Sequence, residues 1–207
     1  MQILSWLFGL CVMLIKMCGL RTDGDVEAAI VAGASLVGFI FAPSKRQIRP
    51  DAVSLLKEIL PVPKVGVFAN QSYQEIMRVL EQVPLDYIQL HGPQDAALGP
   101  SLPVHVIQTY YSEHSQVKPY SYLLIDGMLN GQSGGLGVQA DWSLARSLAT
   151  REPLLLAGGL NPDNVAKAIR SVHPAGVDVS SGIEVNGRKD IERMKKFVEA
   201  VRRCSNE

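Results

Sequence analysis

Polar residues stand at the ends of several apolar runs in this 207-residue chain, and they are the residues with the means to do chemistry. The first run ends with Lys16 and Cys18, which the alternation of a β-strand places on one face, opposite Ile15 and Met17. An ammonium group beside a thiol is costly inside an apolar core. The pair therefore indicates a functional site at the end of this strand.

Three later runs end in the same way. Gln89 and His91 share a face at the end of one run, Asp126 ends another, and Asp178 alternates with apolar residues before Ser180. The four ends together hold acids, bases and hydrogen-bonding groups. A fold that brings these ends together would place them in one pocket.

The composition predicts one ordinary domain, because 207 residues with 47% hydrophobic side chains can bury a sizeable core. Twenty basic and twenty acidic residues cancel, so the net charge favours neither a nucleic acid nor an anionic membrane as partner. Cys11, Cys18 and Cys204 have spacings that suit neither a disulfide framework nor a zinc site, and a reducing cytoplasm is the expected compartment. We expect no metal and no cofactor.

The first residues form an apolar stretch without a charged side chain before Lys16. It lacks the basic start and the small-residue cleavage site of a signal peptide, and it is shorter than the roughly 20 residues that span a bilayer. We therefore interpret residues 1–11 as an apolar extension and residues 12–207 as the domain. Met13 to Cys18 is long enough for a first strand, so a chain that starts at Met13 is expected to be soluble, folded and active.

Apolar runs alternate with amphipathic stretches about every 25 residues, as in repeated βα units. A capping box at Ser72 and Glu75, Asn161 before Pro162, and Asp141 before an apolar stretch predict helix starts. Eight such units predict a single-domain (β/α)₈ TIM barrel, in which strand ends converge on the active site and each strand is followed by a helix. The predicted strands are 12–18, 35–41, 64–69, 86–91, 103–108, 121–126, 153–157 and 175–179.

A doubly wound open sheet is the structural alternative, because it also alternates strands and helices. Residues 135–140 fit the dinucleotide pattern G-x-G-x-x-A. They lie too far beyond the preceding strand to form the tight turn that this motif requires, so the match is weak. The five glycines between Gly127 and Gly137 are more typical of a mobile loop over a pocket.

Small residues follow the last two predicted strands and indicate a phosphate site. Gly158 and Gly159 follow the seventh strand, and Ser180, Ser181 and Gly182 follow the eighth. In barrels of this kind the loops after strands seven and eight commonly hold a phosphate on backbone N–H groups. Each motif alone is also typical of an ordinary tight turn; together they predict a phosphorylated small molecule as partner.

The sequence resembles the phosphoribosylanthranilate isomerase family from about residue 14 to the C-terminal helix. The motifs that carry this resemblance occur in order along the chain: KMCGL (16–20), GFIF (38–41) with SKR (44–46), QLHG (89–92), GGLG (134–137) with DW (141–142), AGGLNP (157–162) and DVSSGIE (178–184). The family has a (β/α)₈ barrel and acts in tryptophan biosynthesis. It converts N-(5′-phosphoribosyl)anthranilate to 1-(2-carboxyphenylamino)-1-deoxyribulose 5-phosphate by an Amadori rearrangement.

The resemblance implies that Asp126 is the general acid, that Cys18 is the general base, and that Arg46 binds the anthranilate carboxylate. This chemistry needs a carboxyl that keeps its proton and a thiol that loses one, which burial and Lys16 respectively would favour. The substrate is further expected to meet Gln89, His91 and Asp178.

Each residue also has a structural explanation. Cys18 is of a type that often acts as a small buried hydrophobe, His91 would satisfy a hydrogen bond at the rim, and Asp178 would pair with Lys16. Arg46 would belong to a solvated basic cluster with Lys45 and Arg49.

Two departures from the family pattern concern the glycine-rich loop, where Leu136 replaces a Thr or Ser and Ala140 replaces an aromatic residue. Two other functions stay open. One is the sugar-phosphate isomerase of histidine synthesis, which resembles a two-carboxylate design with Asp where this chain has Cys18. The other is a catalytically silent barrel that binds a phosphometabolite, for which an acid and a base would be superfluous. Both a monomer and a homodimer are compatible with the sequence.

Overall fold

Eight parallel strands close into a barrel in the computed structural model, which describes residues 13–52, 56, 58–92, 95–113, 116–129, 132–133 and 138–205. Each strand pairs with its neighbours in sequence, and the eighth pairs with the first, which excludes the open sheet. The strands are β1 Leu14–Cys18, β2 Leu36–Ile40, β3 Lys64–Phe68, β4 Tyr87–Leu90, β5 His105–Thr109, β6 Tyr122–Ile125, β7 Leu154–Leu156 and β8 Gly176–Val179. Every predicted strand overlaps an observed one, so the predicted barrel is confirmed.

Two predictions fall on residues outside this description. They are the apolar extension of residues 1–11, with the dispensability of residues 1–12, and the loop residues 134–137, which include Leu136. Within the described part of the chain, no helix is long and apolar enough to cross a membrane.

The described residues contain five α-helices: α1 Asp23–Ala32, α2 Tyr73–Leu80, α3 Trp142–Ala149, α4 Val165–Val172 and α5 Ile191–Ser205. The prediction that a helix follows every strand is wrong, because β4 is followed by a 3₁₀ helix, Asp95–Ser101, with Pro100 inside it. The described residues after β2 and β5 contain no α-helix either. Prolines interrupt all three segments, and a proline lacks the N–H that a helix interior needs.

Local capping interactions account for where the helices begin. Ser72 and Glu75 form the predicted capping box at α2, and the Asp141 carboxylate accepts hydrogen bonds from the amides of Ser143 and Leu144 at α3. The Asn161 side chain caps a turn rather than the helix itself, and α4 begins only at Val165.

Two apolar clusters hold the strands in place. The larger one fills the space between the barrel and its outer helices. The smaller one fills the barrel interior and consists of Leu36, Val65, Ile107, Leu124, Leu155 and Ala157. Since this interior is packed with aliphatic side chains, the polar side chains that follow on the same face toward the carboxyl ends of the strands lie above it.

Two short antiparallel hairpins extend the loops beyond the barrel. One joins Met128–Leu129 to Gln132–Ser133 after β6, and the other joins Glu184–Val185 to Arg188–Lys189 after β8. A three-residue 3₁₀ helix, Ser181–Ile183, connects β8 to the second hairpin. Through this connection the second hairpin lies next to the ends of β8 and β1.

Candidate active site

A cavity of about 160 Å³ opens at the carboxyl ends of the strands. Its lining includes most of the side chains that the sequence predicted: Cys18, Arg46, Gln89, His91, Asp126, Asp178 and Ser180. They come from β1, β4, β6, β8 and the loop after β2. The barrel therefore brings the polar strand ends together, as its geometry requires.

An ion pair lies at the base of this cavity. Lys16 and Asp178 are register partners on β1 and β8, and Lys16 Nζ donates a hydrogen bond to Asp178 Oδ1 at 2.9 Å. The lysine side chain is fully buried. Burial alone would lower the pKa of Lys16, but attraction to Asp178 and to Cys18 outweighs it and raises the pKa. Lys16 therefore stays charged inside the barrel.

The Cys18 thiol is buried beside this ion pair. Gly38, its register partner on β2, provides the space, because a Cβ on Gly38 would lie 2.9 Å from Cys18 Sγ. Burial raises the pKa of Cys18, and the negative charge of Asp178 adds to this effect. Lys16 lowers the pKa of Cys18, as predicted, but the effect of burial is larger. The thiol therefore keeps its proton at neutral pH.

Asp126 follows β6 on the opposite side of the cavity. Its Oδ1 accepts a hydrogen bond from the Gly127 amide at 2.7 Å, and its side chain is 14% exposed. Burial, together with the nearby charge of Asp178, raises the pKa of Asp126 to about 6. The carboxyl thus retains its proton closer to neutrality than an ordinary aspartate, which is the direction that a general acid needs.

His91 lies between Asp126 and two polar side chains. Its Nδ1 is 3.1 Å from Gln89 Nε2 and 3.0 Å from Thr109 Oγ1, and its Nε2 is 3.7 Å from Asp126 Oδ2. An amide nitrogen only donates, so this arrangement places the imidazole proton on Nε2, facing Asp126. Thr109 was missed from the sequence because the predicted strand stopped at residue 108. Extending the same alternation by one residue would have found it.

Arg46 reaches the cavity from the loop after β2 and pairs with Glu184. Arg46 Nε and Nη2 donate to the two Glu184 oxygens at 2.6 and 2.8 Å, and Lys189 Nζ lies 2.9 Å from Glu184 Oε1. Arg49, by contrast, is exposed and pairs with Asp51. Arg46 is therefore separate from the solvated basic cluster. Glu184 ends a motif quoted from the sequence but was given no role there, and no sequence signal identified Lys189.

Hydrogen bonds shift the pKa values of this charged pair apart. The hydrogen bond to Glu184 raises the pKa of Arg46. Burial alone would raise the pKa of Glu184, but hydrogen bonds from Arg46 and Lys189 outweigh it and lower the pKa to about 2. Both groups are therefore charged across the physiological range.

A second, smaller cavity of about 40 Å³ lies between the loops after β7 and β8. It is lined by Gly158, Gly159, Ser180 and Ser181 among others, and Asp126 and Asp178 border both cavities. Gly158 and Gly159 have positive φ angles of 83° and 62°. A Cβ on Gly182 would lie 1.9 Å from the Leu160 carbonyl oxygen, so only glycine permits this approach of the two loops. Four of the five predicted phosphate residues thus line this small cavity, which we call the cradle, and the fifth, Gly182, lets its two loops come together.

The described residues contain no group of three His, Cys, Asp or Glu side chains with the geometry to hold a metal ion. What the cavity does contain is a buried carboxyl and a buried thiol around one space, with the cradle beside it. This arrangement can deliver a proton and remove one from the same bound molecule.

Comparison with known proteins gives a consistent result. A family model described as N-(5'phosphoribosyl)anthranilate (PRA) isomerase matches residues 15–200. A protein of that name from Roseiflexus sp. is 42% identical over 91% of this chain and 97% of its own length. One from Oceanobacillus iheyensis is 36% identical over 92% of this chain and 98% of its own.

Solved structures agree with the sequence comparisons. The phosphoribosyl anthranilate isomerase from Thermotoga maritima has a TM-score of 0.77 at 34% identity, and the alignment covers 92% of this chain and 98% of that one. A phosphoribosyl anthranilate isomerase in complex with reduced 1-(o-carboxyphenylamino)-1-deoxyribulose 5-phosphate has a TM-score of 0.75 at 33% identity, and the alignment covers 92% of this chain and 98% of that one. The chain belongs to the N-(5′-phosphoribosyl)anthranilate isomerase family.

Proposed function

We propose that this chain converts N-(5′-phosphoribosyl)anthranilate to 1-(2-carboxyphenylamino)-1-deoxyribulose 5-phosphate in tryptophan biosynthesis. One observation carries the proposal for this family member: Asp126, with a pKa of about 6, and the Cys18 thiol border one cavity beside a phosphate-sized cradle. An Amadori rearrangement requires one acid and one base around a bound sugar phosphate.

Asp126 acts first, as the general acid. It donates its proton to the ring oxygen of the ribose while the C1–O bond breaks and the nitrogen lone pair forms a C=N bond to C1. The raised pKa keeps a usable fraction of Asp126 protonated near neutrality. His91 Nε2, on the same side of the cavity, stabilises the carboxylate that remains.

Cys18 then acts as the general base. In the minor fraction of molecules in which Cys18 is ionised, its thiolate removes the proton from C2 and gives an enolamine. Protonation of C1 and loss of the proton from the C2 hydroxyl then give the ketone. Burial opposes formation of the thiolate, and the adjacent Lys16 ammonium offsets part of that cost. Asp178 keeps Lys16 charged and in place through their 2.9 Å hydrogen bond.

The two ends of the substrate have complementary sites in this arrangement. The cradle of Gly158, Gly159 and the segment 180–182 offers backbone N–H groups to the phosphate. Arg46 offers a planar donor group to the anthranilate carboxylate. Gln89 Oε1 is buried without a hydrogen-bond partner among the described residues, which suits it to accept a hydrogen bond from a sugar hydroxyl.

The alternatives from the sequence have less support. The family match names the tryptophan-pathway isomerase, and the end of β1 carries Cys18 instead of the Asp of the histidine-pathway design. A silent binding barrel gains nothing from a buried acid and a buried thiol. We also infer a cytoplasmic location, because Cys18 must remain reduced to act as a base. Either a monomer or a homodimer would supply the complete site.

Steady-state turnover of N-(5′-phosphoribosyl)anthranilate tests the proposal. We expect the protein to form the deoxyribulose product. In assays below pH 6, where Asp126 is protonated, we expect Cys18→Ser and Asp126→Asn each to lower kcat at least about 10²-fold. Asp51→Asn makes the same carboxylate-to-amide change at an exposed residue and should leave kcat unaltered. Absence of turnover by the unaltered protein, or near-normal kcat in either site variant, would show the proposal to be wrong.

A further inference from the structure

Glu184 binds one edge of the Arg46 guanidinium group, formed by Nε and Nη2, which leaves the other edge for a ligand. Glu184 accepts from Nε and Nη2 at 2.6 and 2.8 Å, so one N–H of each nitrogen is engaged. The guanidinium group has five N–H donors in a rigid plane. The edge formed by Nη1 and the second N–H of Nη2 is the one left for a carboxylate in the cavity that Arg46 borders.

Other contacts restrict the remaining freedom of this pair. A Cβ on Gly19 would lie 2.6 Å from Arg46 Cδ, so the arginine stem packs directly against the chain after β1. Lys189 Nζ lies 2.9 Å from Glu184 Oε1 and donates to the Ser180 carbonyl oxygen at 2.8 Å. The Glu184 and Lys189 side chains are only 7% and 1% exposed. Burial and the contact with Lys189 thus hold the Glu184 side chain in place, and Glu184 in turn holds Arg46.

We propose that Glu184 is a positioning residue for substrate selection: it orients Arg46 so that one edge of the guanidinium group faces the carboxylate of an aromatic amine. This inference rests on the proposed function, in which Arg46 binds that carboxylate. Glu184 itself acts through Arg46 and does not take part in the proton transfers.

The position of Glu184 in the chain connects it to the phosphate cradle. It directly follows the 3₁₀ helix Ser181–Ile183, whose first residue lines the phosphate cradle. The Lys189 ammonium ties the hairpin back to Ser180. One short segment therefore contributes to the phosphate site and also sets the orientation of Arg46. Loss of Glu184 should reduce selection for the carboxylate while the phosphate site and the acid–base pair remain.

The test compares two substrates in one variant. kcat/KM is measured for N-(5′-phosphoribosyl)anthranilate and for N-(5′-phosphoribosyl)aniline, which lacks the carboxylate, and the ratio of the two values is the readout. The fraction of folded enzyme cancels in this ratio. For Glu184→Gln we expect the ratio to fall about 10-fold or more, mainly through a higher KM for the anthranilate substrate, because the amide offers Arg46 only one acceptor.

Glu184→Asp is the second variant, since it keeps the charge that neutralises Lys189 but is too short to reach Arg46 with both oxygens; its ratio should fall in the same direction. Glu113→Gln, a matched change at the exposed Arg151–Glu113 pair, should leave the ratio unchanged. If both Glu184 variants keep the unaltered ratio while Arg46→Ala lowers it, Glu184 does not position Arg46. If Arg46→Ala also keeps the ratio, Arg46 does not bind the anthranilate carboxylate, and the proposed role of Glu184 is wrong as well. Turnover of N-(5′-phosphoribosyl)anthranilate by the unaltered protein tests the isomerase function independently of this result.

Discussion

Two lysines lie buried on barrel strands, and they differ in what surrounds them. Lys16 on β1 and Lys64 on β3 are 0% and 3% exposed. Lys16 faces the barrel interior and pairs with the carboxylate of Asp178. Lys64 neighbours the interior residue Val65 and therefore points outward, where its Nζ donates to the carbonyl oxygens of Leu56 and Glu58 at 2.9 and 2.7 Å.

The pKa values of the two lysines move in opposite directions. The pKa of Lys16 is raised, because Asp178 and Cys18 outweigh the cost of burial. Burial lowers the pKa of Lys64, and the attraction of Asp86 and Glu58 offsets this effect only in part. Burial alone thus does not mark a functional lysine. The two lysines differ in their partners: Lys16 pairs with a carboxylate inside the barrel, where we propose that it serves the site, and Lys64 binds backbone carbonyl groups outside it.

The largest expected effect follows from removing the interior charge. Removing an opposite charge at such short range moves a pKa by about 1–3 units, so Lys16→Met should raise the pKa of Cys18 and lower kcat by about 10²-fold. It also leaves the largely buried Asp178 without its partner, which should lower the free energy of unfolding by up to about 3–5 kcal/mol. Steady-state kinetics on the folded variant measures the first effect. A near-normal kcat would make Lys16 a structural lysine like Lys64.

A third cation, Arg46, tests whether geometry matters as well as charge. Arg46→Lys keeps the positive charge but loses the planar donor group, and we expect KM for N-(5′-phosphoribosyl)anthranilate to rise about 10-fold. Lys45→Ala, at the exposed neighbouring position, should change KM less than about twofold. Equal effects of the two substitutions in steady-state assays would mean that the loop acts through diffuse charge only.

The smallest effect on activity is expected at Lys64. Lys64→Met leaves the carbonyl groups of Leu56 and Glu58 without this donor, so the free energy of unfolding should fall by about 1–3 kcal/mol, measured by urea denaturation. kcat/KM should stay within about twofold, because the side chain lies outside the barrel. A large loss of kcat in the folded variant would contradict the distinction between the two lysines.

The sequence was sufficient for the parts of the molecule that follow a local period. Recurring apolar runs located all eight strands, and alternation within the runs placed Lys16, Cys18, Gln89, His91 and Asp178 on interior faces. The capping box at Ser72 was equally local. These predictions succeeded because a strand places its side chains by geometry that neighbouring residues alone determine.

Contacts between residues far apart in the chain cannot be predicted from local sequence patterns. Lys189 reaches the site only because a hairpin folds back from β8, and Glu184 gains its role from Arg46, 138 residues earlier in the chain. In the described residues after β2, β4 and β5 the predicted α-helices do not form, and the prolines in these segments oppose helix formation. Lys16 does lower the pKa of Cys18, as predicted, but the larger, opposing effect of burial could not be foreseen, since it depends on packing around Gly38 that no local pattern encodes.

The central claim is that Asp126 delivers a proton and does so as an acid with a pKa of about 6. The most direct measurement is the ratio of kcat/KM for the unaltered protein to that for Asp126→Asn, followed from pH 5 to pH 8. Ionisation of the substrate phosphate and of Cys18 affects both proteins alike and cancels in the ratio.

Asp126 is protonated below pH 6 and loses its proton above it. We therefore predict a ratio of at least about 10² that is constant at low pH and then falls about tenfold per pH unit above pH 6. A ratio near one below pH 6, or a large ratio that does not change with pH, would contradict the role of Asp126 as the general acid.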